Sequence, residues 1–257
     1  MDRRFDDGSA GDADYGAIGP GYADFRRPEP RIAAFLHAAL GDAKTVLNVG
    51  AGAGSYEPSD RIVTAVEPSA QMRAQRPAHL PRAIDAVAEK LPFADGAFDA
   101  AMTTFSVHQW PDLAAGLKEV RRVTRGPVAV MTGDPERLDC FWLNDYAPEV
   151  IATEARRYPP VAAFAPLGGR IEAMNIPIPL DCSDGFNEAY YGRPEMLLDP
   201  KARRACSAWS FVASEAVARF ERDLARDLAS GAWDAKHGAL RATPVFHGSL
   251  LLIVSRP

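Results

Sequence analysis

The sequence predicts an α/β fold with a doubly wound, largely parallel β-sheet. Apolar runs typical of strands alternate with segments of helical spacing through the first half of the 257-residue chain. One apolar run, residues 46–49, leads into a loop with three alternating glycines, residues 50–54, and a second run, residues 62–66, ends at Glu67. This arrangement predicts a nucleotide-like ligand at the carboxyl edge of the sheet. Glycines let the backbone approach a ligand closely, and a carboxylate can bind both ribose hydroxyls.

The other elements follow from the same patterns along the chain. Predicted strands cover residues 44–49, 62–66, 83–87, 98–104, 127–132 and 176–182, and a last strand begins at residue 247. Predicted helices cover residues 31–40, 112–125 and 214–229, and a shorter helix runs from its cap at Ser69 to a point before Pro77. Because strands alternate with helices, we expect the sheet to be parallel.

Composition and length divide the chain into three predicted parts. Residues 1–15 are polar and rich in Asp, and we expect a disordered tail. Residues 16–135 are expected to form a cofactor-binding α/β core that begins with a lid. Residues 136–257 are expected to add helical cap segments and the last two strands to the same domain, because their non-sheet stretches are too long for connectors. Aromatic residues of the cap could line an acceptor pocket or pack the core of the cap itself.

The glycine loop is compatible with two cofactors, a nicotinamide dinucleotide or S-adenosylmethionine. Dinucleotide loops favour a third glycine where this chain has Ser55. Only residues 55–61 separate the loop from the second strand, and Pro58 prevents a full helix there. A pyrophosphate gains from a complete helix dipole. The truncated helix therefore favours S-adenosylmethionine, which has no phosphate.

Further motifs resemble the class I S-adenosylmethionine-dependent methyltransferases, particularly the small-molecule branch of ubiquinone/menaquinone-pathway and trans-aconitate-type enzymes. The matching segments are residues 50–54, 66–69 with Met72, 88–93, 98–99 and 108–112. The resemblance implies a Rossmann-like sheet of seven strands in the order 3-2-1-4-5-7-6, with the last strand antiparallel and a helical cap above the sheet.

The resemblance also implies roles for individual residues. Glu67 would bind the ribose hydroxyls, Met72 would pack on the adenine, and the amide of Ala88 would meet an adenine nitrogen. Tyr22 and Arg27 would belong to a lid over the cofactor, where an Arg could bind its carboxylate. The full implied set is Tyr22, Arg27, Asn48, Gly50, Ala51, Gly52, Gly54, Glu67, Pro68, Met72, Ala88, Glu89, Thr104 and Phe105.

Two positions depart from the family pattern. Many relatives carry an acid where this chain has Asn48, and another where it has Val87. Asn48 brings no charge to face the cofactor ammonium, and Val87 cannot accept a hydrogen bond from the adenine amino group. We therefore expect weaker cofactor binding than in relatives with both acids, and tighter binding after Asn48→Asp.

These features predict methyl transfer to a small-molecule acceptor, with O-methylation favoured. His108 lies just past the fourth predicted strand and is the candidate base for a hydroxyl acceptor, although it could instead shape the pocket or be held by backbone hydrogen bonds. Two other functions stay open. The chain could bind S-adenosylmethionine without methylating anything, or it could be a nicotinamide-dependent oxidoreductase.

Composition argues against several partners. The net charge of −5 and the lack of a concentrated basic patch argue against nucleic acid. No apolar run reaches about eighteen residues and no signal-like start occurs, so we expect a cytoplasmic protein without a membrane segment. The cysteines are odd in number and widely spaced, as in a reducing compartment, and neither they nor the histidines show metal-ligand spacing. The sequence does not indicate the oligomeric state.

Overall fold

The computed structural model describes residues 11, 13, 14 and 21–257. The predicted disordered tail, residues 1–15, lies almost entirely outside the described residues, as does the start of the predicted lid. The predicted division of the chain after residue 135 stays a prediction. Within the described part of the chain, no helix combines the length and the apolarity needed to cross a membrane.

A six-stranded sheet forms the centre of the described structure. Its strands are β1 (Thr45–Val49), β2 (Ile62–Val66), β3 (Ala100–Thr104), β4 (Val128–Gly133), β5 (Arg170–Asn175) and β8 (Leu250–Arg256), and a separate ribbon pairs β6 (Ile178–Pro179) with β7 (Val245–Phe246). The order across the sheet is β2-β1-β3-β4-β8-β5. Strands β2, β1, β3 and β4 pair in parallel, and β8 pairs antiparallel with both β4 and β5. The order confirms the predicted Rossmann-like sheet, with one strand fewer.

Two predicted strands differ from the structure. The predicted strand at residues 83–87 is reduced to a single parallel bridge at Ile84, after which the chain turns to line a cavity. The predicted strand at residues 176–182 lies too far along the chain, because the sheet strand there is β5. Pro177 and Pro179 have no amide hydrogen, so they cannot continue the ladder beyond β5.

Helices flank the sheet and several begin at side-chain caps. They are α1 (Tyr22–Phe25), α2 (Pro30–Ala39), α3 (Ala70–Ala74), α4 (Leu113–Val123), α5 (Leu143–Tyr146), α6 (Pro148–Arg157), α7 (Pro200–Arg204), α8 (Ser214–Ser230) and α9 (Ala232–His237). The side chain of Ser69 accepts a hydrogen bond from the amide of Met72 at 3.1 Å, which confirms the predicted cap of α3. Asp112 caps α4 in the same way.

Alternating strand residues enter two apolar clusters on the two faces of the sheet. Met102 and Met131 pack with α2 and the cap segments, whereas Ala101 and Val130 pack with α4. The aromatic residues Trp142, Tyr190, Tyr191 and Trp209 are buried in the first of these clusters. They line neither of the cavities described below, so they pack the core of the cap.

Candidate functional site

The loop after β1 brings glycine backbone, which has no side chains, to the carboxyl edge of the sheet. Gly50 and Gly52 have positive φ angles of 67° and 52°. A Cβ at Gly50 would overlap the side chain of Ser106, which follows β3, so this close approach requires glycine. The amide of Ala51 donates to the carbonyl of Val66 at 2.9 Å, which ties the loop to the end of β2.

Glu67 follows β2 and holds the loop through its carboxylate. Its Oε2 accepts a hydrogen bond from the amide of Gly52, and its Oε1 accepts one from the amide of Ser69, both at 2.8 Å. The guanidinium of Arg73 donates to the carbonyls of Glu67 and Pro68. The carboxylate is therefore fixed beside the glycine loop, where the sequence predicts a ribose.

A first cavity opens between the glycine loop, the turn after β2, residues 86–89, the turn after β3 and α1. Its wall contains most of the predicted cofactor residues, namely Tyr22, Gly50, Ala51, Gly52, Glu67, Pro68, Met72, Ala88, Glu89, Thr104 and Phe105. It also contains Arg26, Tyr56 and Ser106, which the sequence motifs did not indicate. The structure thus brings most of the predicted residues together around one cavity, and their role in binding a cofactor stays a prediction.

Three predicted cofactor residues, Arg27, Asn48 and Gly54, lie outside this wall. Arg27 is exposed, and the neighbouring Arg26 lines the cavity instead. Arg26 comes four residues after Tyr22, so both side chains leave the same face of the lid. Nη1 of Arg26 donates to the hydroxyl of Tyr22 at 3.2 Å. A Cβ at Gly54 would overlap Leu80, so this glycine serves close packing of the loop.

Asn48 is fully buried in β1 and contacts an ion pair. Its Nδ2 donates to Oε1 of Glu57 at 3.0 Å, and Nη2 of Arg76 donates to both oxygens of Glu57 at 2.9 Å. Burial raises the pKa of Glu57, and the charge of Arg76 and the hydrogen bond from Asn48 oppose that rise. Asn48 therefore stabilises a buried carboxylate, which a second carboxylate at this position could not do.

We expect Asn48→Asp to destabilise the protein rather than to tighten cofactor binding. The new carboxylate would replace a hydrogen-bond donor that lies 3.0 Å from Glu57. The expected loss is about 3 kcal/mol in the free energy of unfolding at pH 8, because the site would hold two buried acids and one guanidinium. Part of the loss should return at pH 5, where one carboxyl can be protonated. Equal urea midpoints for the variant and the wild type at pH 8 would contradict this expectation.

Arg26 connects the lid to the glycine loop and the cap through Asp184. Its Nε donates to Oδ1 of Asp184 at 2.6 Å, and the hydroxyl of Tyr56, at the end of the glycine loop, donates to Oδ2 at 2.8 Å. The amide of Gly185 donates to the carbonyl of Phe25 at 2.9 Å. Burial and the charge of Asp184 raise the pKa of Tyr56 well above its ordinary value, so its hydroxyl stays a donor. The three segments are thereby joined by one buried network.

A second cavity adjoins the first and shares Tyr22, Arg26 and Phe105 with it. Phe105 lies at this junction with a φ of 49°, which is unusual for a bulky residue. The other lining residues come from the turn after β3, from α6 and from the cap, and they are His108, Glu154, Arg157, Tyr158, Phe186, Asn187, Ala205, Cys206 and Ser207. The second cavity is therefore the more polar space on the cap side of the site.

His108 lines the second cavity and not the first. Burial, reinforced by the positive charges of Arg157 and Arg26, lowers the pKa of His108 well below its ordinary value. Its ring packs edge-on against Tyr158, with the ring centroids 5.1 Å apart. The imidazole is therefore neutral near pH 7 but a weak base. These surroundings favour the pocket-shaping role over the role of base.

Comparison with known proteins found a family model that matches the part of the chain around the glycine loop. Residues 47–127, which run from β1 to the residue before β4, match the family model described as a methyltransferase domain. Within these residues the chain is similar to a methyltransferase domain. S-adenosylmethionine is the cofactor that this domain implies, and the residues present fit it. Glu67 can bind a ribose, Met72 offers an apolar face for a base, and a Cβ at Gly50 would crowd the cavity wall.

Solved structures agree with the methyltransferase domain. A candidate methyltransferase from an antibiotic biosynthesis pathway of Anabaena variabilis has a TM-score of 0.83 and 27% sequence identity, and the match covers 91% of this chain and 99% of that one. A candidate histamine N-methyltransferase of Thermotoga maritima, described as S-adenosylmethionine-dependent, has a TM-score of 0.52 and 14% identity, and the match covers 94% and 91% of the two chains. The similarity to the Thermotoga maritima structure supports the fold alone.

A curated relative matches only a short segment of this chain. The uncharacterised protein YafE of Escherichia coli is 50% identical over 38 residues. This match covers 15% of this chain and spans 18% of the length of YafE. The family match and the Anabaena variabilis structure therefore carry the comparison, and both favour S-adenosylmethionine over a nicotinamide dinucleotide.

Proposed function

We propose that this protein transfers a methyl group from S-adenosylmethionine to a small-molecule acceptor, with O-methylation favoured. The observation that carries the proposal is the junction of the two cavities at Tyr22, Arg26 and Phe105. The first cavity is bordered by the glycine loop and Glu67, and the second lies against the cap. A cofactor in the first cavity would present its methyl group to an acceptor in the second.

The wall of the first cavity supports specific roles in cofactor binding. Glu67 would bind the ribose hydroxyls, because two backbone amides fix its carboxylate in the cavity wall beside the glycine loop. Met72 would pack on the adenine, and Ala88 would offer its amide to a ring nitrogen. Arg26, rather than Arg27, would be the cation near the cofactor carboxylate, because only Arg26 lines the cavity.

The chain would contribute alignment and the exclusion of water. The bound cofactor supplies a methyl carbon activated by a sulfonium, so no covalent nucleophile of the protein is required. The lid, held by Arg26 and Asp184, would close the site and fix the acceptor relative to the methyl group. Alignment of this kind can lower a barrier by up to roughly 7–11 kcal/mol.

Two observations support a small acceptor over a macromolecular one. The second cavity lies between the lid, α6 and the cap, so an acceptor there would be largely surrounded by protein. The Anabaena variabilis relative is described as a candidate enzyme of an antibiotic biosynthesis pathway, and antibiotics are small molecules.

Calorimetry with S-adenosylhomocysteine, the demethylated cofactor, tests the proposal first. We expect this compound to bind and NADH not to bind, because no helix lies between β1 and β2 whose N-terminus could bind a pyrophosphate. Incubation with S-adenosylmethionine and a panel of small hydroxyl, carboxyl and amine compounds should then release S-adenosylhomocysteine. Failure to bind S-adenosylhomocysteine would contradict the cofactor site. Binding without turnover on any acceptor would favour the non-methylating alternative.

A further inference from the structure

The second cavity carries a carboxylate that cofactor binding does not use, Glu154. Glu154 and Arg157 lie three residues apart in α6, so both side chains leave the same face of the helix and line the cavity. Nδ2 of Asn187 donates to Oε1 of Glu154 at 2.9 Å, and Nε1 of Trp209 donates to Oδ1 of Asn187 at 3.0 Å. Trp209 thus fixes the Asn187 amide, which in turn anchors one carboxylate oxygen. Among the described residues, no other side chain donates a hydrogen bond to Glu154.

Aromatic rings form much of the remaining wall. Of the described residues, Tyr22, Phe105, Tyr158 and Phe186 contribute rings to the second cavity. The rings of Phe105 and Phe186 lie with centroids 5.4 Å apart and planes inclined by 36°. Aromatic walls suit a planar ring, and a carboxylate suits a hydroxyl at the edge of that ring. The cavity therefore combines the two features that a phenol requires.

We infer that the acceptor is a small phenol and that Glu154 is the catalytic residue that accepts its proton. The inference rests on the proposed function. As the phenolic oxygen forms its bond to the methyl carbon, its O–H bond breaks and the proton moves to Glu154, while the electron pair of the breaking carbon–sulfur bond stays on sulfur. The products are an aryl methyl ether, S-adenosylhomocysteine and a protonated Glu154, which then releases its proton to solvent.

The surroundings of Glu154 suit proton transfer near neutral pH. Burial, and after it the negative charge of Glu188, raises the pKa of Glu154 to about 7, whereas the hydrogen bond from Asn187 opposes that rise. A group with such a pKa can accept a proton and release it again at physiological pH. The pKa of His108 shifts in the opposite direction, because burial lowers it well below the ordinary value. Glu154 is therefore the better base of the two.

Charged and titratable groups face Glu154 from every element around it. They are Arg157 and Tyr158 at the end of α6, Arg26 and Tyr22 in the lid, His108 after β3, Glu188 beside Asn187, and Cys206 after α7. The positive charges of Arg157 and Arg26 lower the pKa of Glu154, and Glu188 raises it. A pH dependence measured at this site is therefore assigned to Glu154 only if it disappears when Glu154 is substituted.

Glu154→Gln tests the inference, because it keeps an acceptor for Asn187 and removes the base. With S-adenosylhomocysteine bound, we expect the wild type at pH 8 to bind phenol at least about tenfold more tightly than anisole, which has no O–H. The preference for phenol over anisole should shrink to less than about threefold in Glu154→Gln. In the wild type, the same preference should fall between pH 8 and pH 5.5 as Glu154 is protonated. In turnover with phenol, kcat should fall at least about 100-fold in the variant.

Controls separate this role from a structural one. Glu172→Gln, on the exposed edge strand β5, should change none of these values. Glu154→Asp keeps a carboxylate and should retain a pH-dependent preference for phenol. This second variant keeps the inference testable if Glu154→Gln folds poorly. Equal binding of phenol and anisole to the wild type, no binding of phenol, or a preference that survives Glu154→Gln would overturn the inference. If the wild type fails to bind S-adenosylhomocysteine, the proposed function itself fails.

Discussion

Asp184→Ala is expected to lower the free energy of unfolding by about 3–5 kcal/mol, because it leaves a buried guanidinium without its carboxylate. The side chains of Arg26 and Asp184 are only 9% and 2% exposed, so solvent cannot replace the lost partner. The hydroxyl of Tyr56 loses its acceptor in the same change. Urea denaturation should show an earlier midpoint with little change in slope.

Asp181→Ala is the matched control for this loss. Asp181 forms an ion pair with Arg31, but its side chain is 79% exposed. Exposed pairs contribute little, so we expect a change of less than about 1 kcal/mol. Equal urea midpoints for Asp184→Ala and Asp181→Ala would contradict this expectation. They would show that the buried network around Asp184 does not hold the lid to the cap.

Glu67→Ala is expected to weaken the binding of S-adenosylhomocysteine at least about 100-fold. The change removes the acceptor for the amides of Gly52 and Ser69, so the glycine loop loses its fixed position. Hydrogen bonds to charged groups contribute about 1.5–3 kcal/mol each, and the proposed bonds to the ribose would be lost as well. Calorimetry measures the loss directly.

A double-mutant cycle separates the ribose from the loop. In the wild type, the 2′-deoxy form of S-adenosylhomocysteine should bind more weakly than the parent compound, whereas in Glu67→Ala the two should bind alike. Glu172→Ala, on the exposed edge of the sheet, should bind both compounds as the wild type does. A 2′-hydroxyl effect that is as large in Glu67→Ala as in the wild type would place the ribose away from Glu67.

Local patterns predicted most of the sheet, because each parallel strand is a short apolar run beside a loop signal. β1, β2 and the two strands that follow them lie within two residues of the expected positions. The two strands that differ from the prediction do so for local reasons. Pro177 and Pro179 cannot continue a ladder, so the edge strand ends before them. Ile84 makes only one bridge, because the chain after it is needed for the cavity wall.

The features of the site that the sequence did not predict depend on contacts between residues far apart in the chain. Arg26 rather than Arg27 faces the cavity because its partner is Asp184, which is far away along the chain. Asn48 looked like a weakened cofactor ligand, but it serves the buried pair of Glu57 and Arg76. Glu154 carries no motif at all. Its position beside the cofactor cavity depends on how α6 packs above the sheet, and no local pattern encodes that packing.

A crystal structure with S-adenosylhomocysteine tests the central claim most directly. We expect both ribose hydroxyls to bind the carboxylate of Glu67 and the adenine to lie against Met72 and Ala88. We expect the sulfur to point past Phe105 toward Glu154. A ligand bound elsewhere, or one in this cavity whose ribose does not touch Glu67, would contradict it.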